Sequence, residues 1–469
     1  MSDRLRLFAL KQATPGHTGI GLWRNPRSQA HRYGDLDYAI ELARQLEDGG
    51  FDGVFFADAP GVLDVYQGRV DPALRDGLGT PAADPIPIVA AMAAVTTRLD
   101  LAVTMSTSYV QPYALARTMG TLDRLSGGRI GWNIVTSALD SGARNLGLGA
   151  LPAHDVRYDI AEEFMEAVYG VWESSWDEDA VVRDTHSGVY VDPARVRPVA
   201  HAGRAFRIPD VGPVEPSPQR TPVLFQAGSS ERGLRFAGRH AEGVFLSAHD
   251  PALVARQVQR GRKALTEAGR SPTDAVFLAN ATFVVAPTDA EAARTYREEY
   301  LAYASHEGAL ARYSALLGID LSQLDPDEPL KAEAANGGVP AIQGIVDVFT
   351  RLDPECVWTP RAIGEFVAIG GGGPVIVGSP GTVADRIEEW THLAGVDGFN
   401  VADPLPGVTL TAVCAHLIPE LRRRGLVSTP DPGFGTFRER LSGRRGARLR
   451  APHPAAVARG AHPMASSSG

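Results

Sequence analysis

Lysine and cysteine are scarce in this 469-residue chain, and each shortage excludes something. The only lysines are Lys11, Lys263 and Lys331, and none follows a glycine. A P-loop needs a Gly-Lys step to bring an ammonium to the phosphates, so that class of nucleotide enzyme is excluded. The only cysteines are Cys356 and Cys414, too few for a disulfide framework or a zinc cluster, and no metal site is expected. No apolar run approaches the ~20 residues of a membrane span; the longest lies near Ile86–Val95. The first ten residues, MSDRLRLFAL, carry charges where a secretory signal would be apolar. A formal charge of −9 does not favour nucleic acid, which selects a concentrated basic surface. With 44% hydrophobic residues, this is the composition expected of a soluble, cytoplasmic protein that binds neither membrane nor nucleic acid.

Three near-misses remove further classes. Gly370–Gly373 is not a dinucleotide fingerprint, because Val375 and Ile376 fall where the third glycine belongs. Gly228-Ser229-Ser230 begins like a nucleophile elbow, but Arg232 replaces its last glycine. His306-Glu307 opens like a zinc-protease motif, but Leu310 stands in for the second histidine.

What is present is alternation. Apolar segments without polar alternation occur at Leu5–Leu10, Phe51–Asp58, Leu99–Thr107, Arg129–Ser137, Pro222–Ser230, Gly243–His249, Ala275–Ala286 and Gly398–Asp403. Continuous apolar strands suit a parallel sheet covered on both faces. Leu36–Gly49, Ile160–Glu173 and Val383–Leu393 show helical spacing between them. Eight such units predict a (β/α)₈ TIM barrel, with a doubly wound open sheet as the alternative. Ser174–Arg220 and Pro287–Pro374 break the alternation and are expected to be insertions at the barrel mouth. Residues 1–442 would form one domain. The tail from residue 443 has five arginines and no acid, and is expected to be disordered.

Barrel chemistry sits where strands run into their following loops. The polar residues there are Asp58, Thr104, Ser106–Ser108, Asn133, Thr136, Ser137, Gln226, Ser229, Ser230 and His249. Singly, each reads as a cap or turn residue; together they would line one polar cavity. Ser229-Ser230 precedes the apparent helix Glu231–His240, and helix-start N–H groups bind anions. His154, Arg157 and Tyr158 share a helical face at spacings of three and four. This lining suits a flat ligand carrying a phosphate.

At these residues the chain resembles a known family. Ala114–Ser137 (ALARTMGTLDRLSGGRIGWNIVTS) resembles a signature of bacterial luciferase-like flavin monooxygenases, nearest the nitrilotriacetate, EDTA, dibenzothiophene-sulfone and long-chain alkane monooxygenase subgroup. Leu22–Pro26, Phe51–Asp58, His154–Asp184, Pro216–Gly233, Val377–Trp390 and Ile418–Gly425 agree in the same order. Asp84-Pro85 departs from the Glu-Pro common there. The resemblance implies a homodimer or homotetramer. It implies FMN, used as FMNH2 that diffuses from a separate flavin reductase. It also implies insertion of one oxygen atom from O2 into a small organic substrate through a flavin C4a-hydroperoxide. Carried over by position, the flavin contacts would be Asp58, Thr104, His154, Tyr158 and Ser229. Ser230 and Arg157 would be phosphate neighbours, and Asn133 and Ser137 ring neighbours. His17, in the first loop, is the candidate for proton management, since histidine titrates near neutrality. The alternatives are a deazaflavin-dependent hydride-transfer enzyme on the same barrel, a non-catalytic flavin-binding protein, and a hydrolytic barrel enzyme.

Overall fold

The computed structural model describes residues 4–228, 230–330, 345, 349, 356–427 and 435–460. Eight parallel strands close on themselves. They are β1 (Arg6–Lys11), β2 (Gly53–Phe56), β3 (Asp100–Ser106), β4 (Ile130–Val135), β5 (Val223–Gln226), β6 (Gly243–Leu246), β7 (Val276–Val285) and β8 (Gly398–Ala402). Each pairs with its neighbour in order, and β8 returns to β1 with Phe8 opposite Asn400. The eight expected strands are the eight observed, and the closed barrel replaces the open-sheet alternative. Strand residues are buried almost throughout, which is why they read as unbroken apolar runs. A ninth strand, Val375–Gly378, was not anticipated. It pairs only with the distal half of β7, at Thr282–Val285.

Helices follow the strands: α1 (Leu36–Gly49), α2 (Pro85–Val95), α3 (Pro112–Ser126), α4 (His154–Tyr169), α5 (Glu231–His240), α6 (Pro251–Glu267) and α7 (Pro380–Ala394). Their starts are written in the sequence. Asp84 caps α2 by accepting from the Ile86 N–H at 2.8 Å, with Pro85 at the first helical position. The Asp-for-Glu departure thus sits at a position that rewards a short carboxylate. Gly50 ends α1 in the left-handed conformation, φ 95°. Among the described residues, no helix is long and apolar enough to cross a membrane.

Two expectations are corrected. Ser174–Arg220 does not sit at the mouth. It follows helix α4, which has already carried the chain back to the N-terminal ends of the strands. It forms two small hairpins there, and Gln219 donates to the carbonyl of Ile130, the first residue of β4, at 2.9 Å. Pro287–Pro374 does follow a strand end, and its helix His306–Leu317 lies over the mouth. Residues 331–344, 346–348 and 350–355 of that stretch lie outside the described residues.

The second correction concerns the tail. Residues 443–460 are ordered and end in a helix, Pro454–Gly460. Three of their arginines find acids elsewhere: Arg444 pairs with Asp274 at 2.9 Å, Arg448 with Glu178 and Arg459 with Glu173 at 3.4 Å. The buried His453 ring bonds the His240 carbonyl. Residues 461–469 lie outside the described residues.

Just before this segment, the short helix Phe437–Ser442 closes the barrel floor. Phe437 is fully buried against Phe8 and Phe225, with ring centroids 5.8 and 5.6 Å away. Arg438 beside it pairs with buried Glu242 at 2.6 Å. Phe437→Ala should therefore lower the unfolding free energy in urea by roughly 3–5 kcal/mol. An unchanged midpoint would show that the floor does not need the ring.

Candidate active site

The rim at the C-terminal ends of the strands holds a cavity of about 240 Å³. Gln12, Asp58, Thr136, Ser137, Gln226 and Gly228 come to it from strand ends, and Tyr158 from α4. Tyr109, Leu63 and Leu139 come from rim loops, and Arg312 and Leu316 from the insertion helix. A larger hollow of about 630 Å³ lies at the opposite end, against the first residues of β1 and β7, and touches none of these groups.

Two helix starts come together just beyond Gly228 and Tyr158 of the cavity lining; Ser230, His154 and Arg157 there do not themselves line it. Ser230 caps α5, its Oγ accepting from the Gly233 N–H at 3.1 Å. His154 opens α4, and its Nε2 lies 3.3 Å from the same Oγ. The positive ends of both helix dipoles therefore converge. Tyr158, one turn further along α4, is buried, and its Oη accepts from Gln226 Nε2 at 3.2 Å. A side chain on Gly228 would meet the Gln226 amide and, at 2.7 Å, that Oη, so both would have to shift to admit one. Arg157 is buried. It donates to the Pro152 carbonyl at 2.8 Å, while its Nε has no partner among the described residues. Ser229 lies outside the described residues.

Across the cavity stands Asp58. Burial, with a smaller push from Asp84, raises its carboxyl to about 6 against a bond from the Ala59 N–H. Ser137 also lines the wall, its Oγ 2.7 Å from Ser106 Oγ and its backbone left-handed at φ 59°.

Not every expected residue reaches the cavity. Asn133 Nδ2 donates to Thr104 Oγ1 at 3.0 Å, and both are buried one layer below the lining. His17 lies behind the wall: its carbonyl accepts from Arg312, which does line the cavity. Burial, with Arg312 and Lys11 nearby, lowers its imidazole well below the usual range. His17 therefore stays neutral at pH 7. Sequence reasoning missed Gln12, Tyr109, Arg312 and the buried Lys11–Asp403 pair (2.6 Å) at the ends of β1 and β8. Gln12, directly after the first strand, and Asp403, at the end of the last, carried the strand-end signal that could have found them.

The hydrogen-bond donors at one end, apolar walls and opposing carboxyl match what a ring system with a phosphate tail requires. A family model described as luciferase-like monooxygenase matches residues 17–398. The chain belongs to that family. It is 42% identical to the dimethyl-sulfide monooxygenase of Hyphomicrobium sulfonivorans, over 98% of this chain and 95% of that one. It is 39% identical to the long-chain alkane monooxygenase of Geobacillus thermodenitrificans, over 97% and 98%. A solved riboflavin lyase, described with modified FMN and riboflavin, superposes with TM-score 0.90 at 39% identity, covering 97% of this chain and 99% of that one.

The raised Asp58 carboxyl has a measurable sign. Its folded value lies above the unfolded one, so the native state holds the extra proton, and stability falls as pH rises from about 4 to about 6. Subtracting the unfolding curves of Asp58→Asn from those of the wild type should show this fall and isolate it from Asp100, which is raised to a similar value. A pH-independent difference would contradict the assignment.

Proposed function

We propose that this protein is the oxygenase component of a two-component flavin system. It would bind reduced FMN delivered by a separate reductase and use O2 to oxygenate a small organic molecule. The observation that carries this reading is the meeting of two helix starts, Ser230, His154 and the glycine-floored space at Gly228, beside a ring-sized cavity. The residues fit the group. The unpartnered Arg157 Nε and the α5 start provide donors for a phosphate, and Asp58 can accept from a ring N–H when ionised.

When bound, the reduced flavin supplies the chemistry that activates dioxygen. The chain's own residues do the rest. Leu63, Leu139, Leu316 and Tyr109 exclude water from the site. Ser137 and Thr136 would hold one edge of the ring, and Tyr158, through Gln226, would steady the turn at Gly228 beside the phosphate. His17, buried and held neutral behind the wall, brings no positive charge toward the site. Dioxygen and substrate would enter under the insertion helix.

Ser230→Glu places a carboxylate where the phosphate would sit, and Arg157→Met removes its cation. Each should weaken FMN binding at least tenfold, measured by flavin fluorescence, with a parallel loss of oxygen uptake when a reductase and NADH are supplied. Unchanged flavin affinity in both variants, with helical circular dichroism intact, would refute the phosphate assignment.

A further inference from the structure

The charges around the cavity are not equally answered. Lys11 is buried but held by Asp403 at 2.6 Å and by the Tyr38 hydroxyl at 3.2 Å. Arg312 has no such partner. It sits mid-helix in His306–Leu317, on the wall it shares with Leu316. One nitrogen, Nη1, donates to the His17 carbonyl, and no carboxylate lies within ion-pairing reach among the described residues. Asp58 lines the same cavity, but its charged neighbour is Asp84 rather than Arg312. Burial lowers the Arg312 pKa, opposed only by the Tyr313 hydroxyl. A guanidinium stays charged in proteins, and taking it out of water is costly unless an anion answers it. Its fork can hold two oxygens of an oxyanion through two parallel bonds. The walls around it are apolar, and the phosphate donors belong to α4 and α5, not to this helix.

We infer that Arg312 is the recognition residue for an anionic substrate: a small organic acid with a short apolar body and a terminal carboxylate or sulfonate. The inference rests on the flavin reading above, since it assigns the substrate side of that site. The insertion helix then does two jobs with one side chain. Nη1 pins it to the first loop, and the remaining donors face the incoming acid.

Hexanoate and hexanol, of equal chain length, are suitable probes, titrated calorimetrically into FMN-loaded protein. Hexanoate should bind wild type about 10- to 100-fold more tightly than hexanol, the range of a charge-assisted hydrogen bond. Arg312→Gln keeps a donor for the His17 carbonyl but no charge, and should erase the preference. Arg312→Lys should restore part of it. Equal binding of the two probes by wild type would overturn the inference. So would a loss of reduced-FMN affinity in Arg312→Gln as large as its loss of hexanoate affinity, because the cation would then serve the flavin. If FMN does not bind at all, the flavin reading fails. The same titration in flavin-free protein then decides the Arg312 assignment separately, for it if Arg312→Gln erases a hexanoate preference and against it if none exists.

Discussion

Closure of eight parallel strands is the constraint from which the site follows. Once β8 pairs with β1, every strand must finish at the same rim, and residues as distant as Gln12 and Gln226 meet there. The interior below is solid. Phe8, Phe225, Phe245 and Phe437 fill it, leaving the rim as the place where polar groups face open space. Helix α4 after β4 and helix α5 after β5 start at that same rim, which is why their N-termini sit side by side.

The same closure sets the electrostatics. Walls that exclude water push Asp58 toward its protonated form and keep His17 neutral. Among the described residues, they also leave the Arg312 guanidinium without the counter-charge that Lys11 finds in Asp403. A site of this kind responds strongly to the charge of whatever enters it, because little solvent remains to screen it.

Much of this was legible in the chain. Strands buried on both faces have to be apolar throughout, so all eight could be read as runs. The rule that chemistry gathers at strand ends led to Asp58, Thr136, Ser137 and Gln226 without any knowledge of a ligand. Other features were hidden for physical reasons. The composition of Ser174–Arg220 signals irregular structure but not which end of the barrel it occupies; only the helix before it decides that. The arginines after residue 443 looked unanswered because Asp274 and Glu178 are far away in sequence. Alternation of side chains along a strand turned Thr104 and Asn133 into the barrel, where the Asn133 amide donates to the Thr104 hydroxyl. Arg312 lies on an excursion whose docking depends on tertiary contacts, so no spacing rule could place it at the cavity.

A crystal structure of the protein soaked anaerobically with reduced FMN tests the central claim most directly. The account predicts the phosphate against Ser230 and the α5 start, with the ring beside Asp58 and Ser137. A flavin found elsewhere, or bound with its phosphate on the Arg312 side, would contradict it.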